Sequence, residues 1–160
     1  MAQLENQLVV SREKRKTPEV SSMIYLFFLL ATSANNLPAN LLSSVCFVES
    51  RHTEKAVHYN DGHSHTYGIC QVKLETAKAF GFKGDQNTLL LPEVNISYAG
   101  KILKYHLTQC KSLNSAILAY SSGRCGRGHH DYLRKVRGKL HEENSIRDFR
   151  QSLEFKDPAS

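Results

Sequence analysis

No two of the four cysteines stand as C-x-x-C, which removes the zinc-knuckle and dithiol redox motifs. The chain carries no internal repeat and no low-complexity tract. Its one long apolar run, residues 23–31, is well short of the roughly 20 residues that a membrane-spanning helix needs. Strand patterns are scarce too. The single candidate is a short hairpin in the loop from 57 to 70, around the turn-forming Asn60-Asp61-Gly62. What remains to build the fold is helix.

Enough is present for one compact domain: 160 residues, 41% of them hydrophobic. The net charge of +6 favours anionic partners, of which nucleic acid, anionic lipid and an acidic polymer are the obvious classes. Cys46 and Cys70 stand among apolar residues and read as buried small hydrophobes. Cys110 and Cys125 fall near a helix end and in a Gly-rich loop, and can pair with each other if the chain is exported.

The front of the chain differs from the rest. Residues 12–16, Arg-Glu-Lys-Arg-Lys, are basic; 23–31 are apolar; Thr32-Ser33-Ala34 are small. Basic, apolar, small is the order of a secretory signal. It divides the chain into a leader at 1–34, a domain at 35–141 and a polar tail at 142–160. The leader is then a cleaved signal or a membrane anchor through 23–31; the competing reading makes it a buried helix of the folded domain.

Within the domain, Leu41, Leu42, Val45, Cys46 and Glu49 share one face of a helix starting near Pro38. Leu74, Ala77 and Phe80 mark a short second helix stopped by Gly81. Pro92 opens a third, with Asn95, Ala99, Ile102 and His106 inward. Leu113, Ala116, Ile117 and Tyr120 make a fourth, ended by Ser122-Gly123. Tyr132, Leu133, Val136 and Leu140 make a fifth. The fold class is mainly α with at most a small β-hairpin.

Glu49 is the residue that this pattern leaves unexplained. It closes an apolar stripe, and such a stripe faces a core or the floor of a cleft. A desolvated carboxylate favours its neutral form, so its pKa rises, and an acid still protonated near neutral pH can serve as a general acid. The competing reading is a helix-end carboxylate with no chemistry. Downstream, Tyr67-Gly68-Ile69-Cys70-Gln71-Val72 offers a glycine that permits close backbone approach and an amide that both donates and accepts. Tyr120 points inward with a ring and a hydroxyl. One acid, an amide and a tyrosine suit a polymer rich in hydroxyls and N-acetyl groups.

The blocks LLSSVCFVES, TYGICQV, PEVNISYAGKIL and AILAYSSG, in that order over residues 36–138, resemble the lytic transglycosylases of the lysozyme-like superfamily, the compact phage and secretion-system members included. The resemblance implies an exported enzyme of the periplasm or cell envelope (or of a virion or lysis system) that cuts peptidoglycan glycan strands. It implies no cofactor and no metal. Glu49 matches the catalytic glutamate, which protonates the bond between N-acetylmuramic acid and N-acetylglucosamine. It then takes the C6 hydroxyl proton as a 1,6-anhydro ring closes. Ser50, Tyr67, Gln71, Tyr120 and Ser121 fall at substrate-binding positions; Gly68 and Asn95 support the cleft. Two positions depart from the pattern: Cys70 replaces a methionine and Ser121 an asparagine. Partners implied are the glycan strands and a secretion-system, pilus or phage assembly.

Other readings compete. A hydrolytic lysozyme would use Asp61 as a second group, with Glu54 the lesser candidate, although Asn60-Asp61-Gly62 also reads as turn chemistry. A non-catalytic wall-binding protein could keep the same fold. His58, His63 and His65 with Asp61 match no metal-ligand spacing. Arg124, Arg127, Arg134, Lys135, Arg137 and Lys139 could grip phosphate. They suit an anionic wall equally, and no specific nucleic acid is expected.

Overall fold

The computed structural model describes residues 22–59 and 64–154. Through them the chain runs α1 (Ser22–Ala34), α2 (Leu41–Ser50), β1 (Val57–His58), β2 (Thr66–Tyr67), β3 (Val72–Lys73), α3 (Leu74–Ala79), α4 (Gln86–Leu89), α5 (Pro92–Gln109), α6 (Leu113–Ser122) and α7 (His130–Glu154). The expected architecture is the one found: mainly helical, with a small antiparallel sheet.

Local chemistry sets the helix ends. Pro92 opens α5, where its missing N–H costs nothing. Asn95, Ala99, Ile102 and His106 are all buried, as their spacing predicts. Ser112 caps α6 by accepting from the Ser115 amide at 3.2 Å, and Gly123 at φ 75° ends it. Asp85 caps α4 by accepting from the Thr88 amide at 2.8 Å. With four residues, α4 is too short to show any period in the sequence. The residues expected as a polar tail continue α7 as far as Glu154.

The predicted hairpin is β1–β2, paired antiparallel with Val57 opposite Tyr67. Its turn lies outside the described residues. β3 adds a third strand in the order β1-β2-β3, with Tyr67 opposite Val72. Side chains alternate across a strand, so Val57, Tyr67 and Val72 share the inner face.

Leu41, Leu42, Val45 and Cys46 of α2, Ile96 and Leu103 of α5, Ile117 of α6 and Val136 of α7 meet in one core. Helix α1, expected within a leader, joins it: Ile24, Phe28 and Ala31 turn inward and are buried. It packs on α5, where Gly100 allows the close approach. A Cβ at position 100 would stand 2.8 Å from Asn35 Nδ2 and 3.5 Å from the Ala31 methyl. Among the described residues no helix is long and apolar enough to cross a membrane.

The cysteines require a correction. Cys46 and Cys70 are fully buried, as expected, but they are not separate thiols: they form a disulfide, with Cα atoms 4.2 Å apart. Apolar neighbours reveal burial and not pairing. The turn between β2 and β3 is what carries Cys70 against α2, and the sequence does not display that contact. Neither Cys46 nor Cys70 is a free thiol. Cys110 and Cys125 also pair, with Cα atoms 5.4 Å apart.

Candidate active site

Helix α2 delivers Glu49 to the centre of the site. Four residues before it, Val45 is in the core; the next residue but one, Arg51, turns left-handed at φ 54° and ends the helix. The carboxylate is thus held at the rim of the core. Burial raises its pKa from 4.5 to about 7, against a smaller lowering by a hydrogen bond from Tyr132. The Tyr132 hydroxyl, on α7, donates to Glu49 Oε1 at 2.6 Å. Burial and the neighbouring Glu49 charge push the Tyr132 hydroxyl far above its ordinary range, so it remains a donor at all accessible pH.

Tyr132 is a candidate site residue that the sequence does not single out. Its spacing puts it on an inward stripe with Leu133, Val136 and Leu140, which looks like core. The available signal was its hydroxyl: a buried tyrosine seeks a hydrogen-bond partner.

Ser50 follows Glu49 and ties the helix end to the turn across the site. Its Oγ donates to the Ile69 carbonyl at 2.7 Å and accepts from the Thr53 amide at 3.0 Å. Tyr120 of α6 reaches the same turn, donating to the Cys70 carbonyl at 2.9 Å. Burial raises the Tyr120 pKa well above its ordinary value, and the Glu49 charge adds to this.

Asn95 holds the turn from below. Fully buried on α5, it accepts from the Cys70 amide at 2.8 Å and donates to the Tyr67 and Leu89 carbonyls, each at 2.8 Å. Gly68, at φ 77°, has no room for a side chain: a Cβ would stand 2.5 Å from Asn95 Nδ2. A support role for both residues would rest on these contacts.

The remaining site residues lie as follows. Gln71 adopts φ 50° and turns its amide inward. Its Oε1 accepts from Thr66 Oγ1 at 2.6 Å, while Nε2 donates to the Ala56 carbonyl at 3.1 Å and the Gly68 carbonyl at 2.9 Å. Both donor hydrogens are in use, so Gln71 shapes the turn and offers a sugar at most its remaining oxygen lone pair. Tyr67 is buried on the opposite sheet face from Thr66. With Val57, Tyr59, His65, Gln86, Asn87 and Leu90 it lines a separate cavity of about 320 Å³, and its hydroxyl lies 3.4 Å from Gln86 Oε1. Ser121 is exposed, with Oγ turned back to the Leu118 carbonyl at 3.1 Å. Ser50, Gln71, Tyr120, Gly68 and Asn95 are joined through the 67–72 turn, and Glu49 adjoins them as the chain neighbour of Ser50; Tyr67 shares its backbone with that group but directs its side chain elsewhere.

Asp61 and His63 lie outside the described residues. Among the described residues, no three His, Cys, Asp or Glu side chains gather where they could hold a metal ion. Among the described residues, the arrangement offers the Glu49 carboxyl group, with a pKa raised to about 7, backed by the Tyr132 hydroxyl donor.

No curated protein and no solved structure matches the chain. A family model, Transglycosylase SLT domain, matches residues 27–144. The match runs from within α1 into α7 and so includes Glu49, Tyr120, Tyr132 and the whole of the turn between them. The chain belongs to the transglycosylase SLT domain family, the peptidoglycan lytic transglycosylases of the lysozyme-like superfamily.

Proposed function

We propose that the protein cleaves the β-1,4 bond between N-acetylmuramic acid and N-acetylglucosamine with Glu49 as its one acid–base group. The observation that carries the reading is the enclosure of Glu49 at the end of an apolar helix, with a pKa of about 7 and a hydrogen bond from Tyr132. Protonated Glu49 gives its proton to the glycosidic oxygen, and the bond from that oxygen to muramic C1 breaks. The resulting carboxylate takes the proton from the muramic C6 hydroxyl. The C6 oxygen then bonds to C1 and closes the 1,6-anhydro ring. Protons balance, Glu49 returns to its acid form, and no water is consumed. A single carboxylate suffices because the substrate supplies its own nucleophile, one of the departures from the paired-carboxylate scheme.

Tyr132 fixes the carboxylate's orientation and stabilises its charge between the two steps. Tyr120 and Ser50 hold the 67–72 turn opposite it. Two disulfides support placement in an oxidising compartment, and peptidoglycan as substrate agrees with the cell envelope. There the positive charge of the chain favours the anionic wall.

The test is mass spectrometry of muropeptides released from purified peptidoglycan by the wild type and by Glu49→Gln. Anhydro-muramic ends from the wild type alone are expected. Reducing ends, lost in the variant, would replace this reading with that of a hydrolase and direct attention to Asp61. Release of nothing by either, with wall binding intact, would make the protein a non-catalytic member.

A further inference from the structure

Helix α1 has two apolar faces. One is buried on α5 through Ile24, Phe28 and Ala31. The other presents Met23, Tyr25, Leu26, Leu29 and Leu30, each between 45% and 59% exposed. The helix holds no charged residue at all. A surface helix of a globular domain ordinarily turns polar residues outward. Large contiguous apolar patches mark surfaces that another phase or molecule covers.

We infer that the outer face of α1 is a membrane-docking surface, by which the domain lies on an anionic bilayer without crossing it. Three observations favour lipid. First, no described helix is long and apolar enough to cross: the 13 described residues of α1, at about 1.5 Å each, span roughly 20 Å, against about 30 Å of hydrocarbon. Inserting the helix would also strip Ile24, Phe28 and Ala31 from the core. Second, the charge in the adjoining sequence and on α5 suits acidic headgroups. Arg12, Lys14, Arg15 and Lys16 stand upstream of α1 against Glu13 and Glu19. Lys104, part-exposed, lies one turn along α5 from Gly100, the residue on which Ala31 packs. Basic groups beside an apolar helix face are the pattern of interfacial binding to anionic lipid. Third, the strip is too small for a stable dimer. About 20 Å by 10 Å is on the order of 200 Å², against roughly 800 Å² per partner in a typical specific interface. A bilayer needs no matching shape.

The inference is independent of turnover, because binding to lipid is read without peptidoglycan. The full 160-residue chain is sedimented with vesicles of phosphatidylglycerol and phosphatidylethanolamine, and in parallel with neutral phosphatidylcholine vesicles. The variants are Leu26→Gln/Leu30→Gln, which keeps helix propensity, and Lys14→Gln/Arg15→Gln/Lys16→Gln. Partition of the wild type to anionic vesicles is expected, falling about tenfold or more in each variant. Activity on soluble glycan fragments should be unchanged in both variants. Failure of the wild type to bind anionic vesicles, or equal binding by the leucine variant, would overturn the inference. Concentration-dependent self-association that disappears in the leucine variant would assign the face to a second copy instead.

Discussion

Tyr132 and Glu49 are separated by 83 residues of chain and by 2.6 Å in space. The pair joins the last turn of α2 to the first turn of α7 and opposes the effect of burial on the acid. The tyrosine donates to the charged form, so it lowers the Glu49 pKa while burial raises it. Tyr132→Phe removes only the lowering influence. In the proposed mechanism the acid step requires protonated Glu49, so wild-type activity should fall as pH rises through about 7. In the variant this limb should move upward by about one pH unit, the size expected for a charged hydrogen bond. A pH–rate profile with kcat reduced and the limb unmoved would make Tyr132 a packing residue only.

The acid itself should cost stability. The folded-state pKa of Glu49, about 7, lies above its ordinary 4.5, so between those values the native state binds more protons than the unfolded chain. Stability is highest below the unfolded pKa and declines as pH rises through the folded one. At pH 8 the accumulated loss is about 3 kcal/mol. Glu49→Gln has no charge to bury. It should melt several degrees above the wild type at pH 8 and level with it at pH 4, while losing activity by about 10³-fold. Scanning calorimetry at the two pH values checks the crossing; equal melting temperatures at pH 8 would contradict the burial of the charge.

Asn95 satisfies three backbone groups at once, the Tyr67 and Leu89 carbonyls and the Cys70 amide. Asn95→Leu leaves all three without their partner in a dry interior, at about 1–3 kcal/mol each. The expected loss is about 3–5 kcal/mol in denaturant unfolding, enough to deplete the native state of an ordinary domain. Gly68→Ala should lose about 2 kcal/mol or more, because its methyl would collide with Asn95 Nδ2 on a left-handed backbone. Relief of the Gly68→Ala loss by Asn95→Ala would show that the collision, and not φ alone, is the cause.

The Cys46–Cys70 disulfide closes a 24-residue separation. Cross-linking a loop of that length restricts the unfolded chain by about 3 kcal/mol. Cys46→Ala/Cys70→Ala should lose about that much in urea unfolding. Its kcat should fall more than its wall binding, since the turn opposite Glu49 is then held by hydrogen bonds alone. A variant as stable and active as the wild type would leave the disulfide without a role in the site.

The parts of this molecule that repeat along a helix were legible in the chain. The inward stripe Asn95, Ala99, Ile102, His106 follows from spacing alone, and Glu49 stands out because an acid at the end of an apolar stripe demands a reason. What crossed between elements was not legible. Tyr132 looks like one more core aromatic until its hydroxyl is seen against Glu49. Cys46 and Cys70 both read as buried, and burial does not name a partner. Gln71 reads as a free amide, because the chain does not disclose that Thr66, Ala56 and Gly68 occupy it. Helix α1 carried the composition of a signal, since the apolar face that enters the core and the one that remains outside have the same hydrophobicity.

Cys70 is gripped through three of its atoms by three different helices: its sulfur by Cys46 of α2, its amide by Asn95 of α5, its carbonyl by Tyr120 of α6. A residue so tethered has no independent motion, and its amide should exchange with solvent only when the whole domain opens. The turn opposite the acid therefore acts as an anvil. Any adjustment around Glu49 then falls to elements other than this turn.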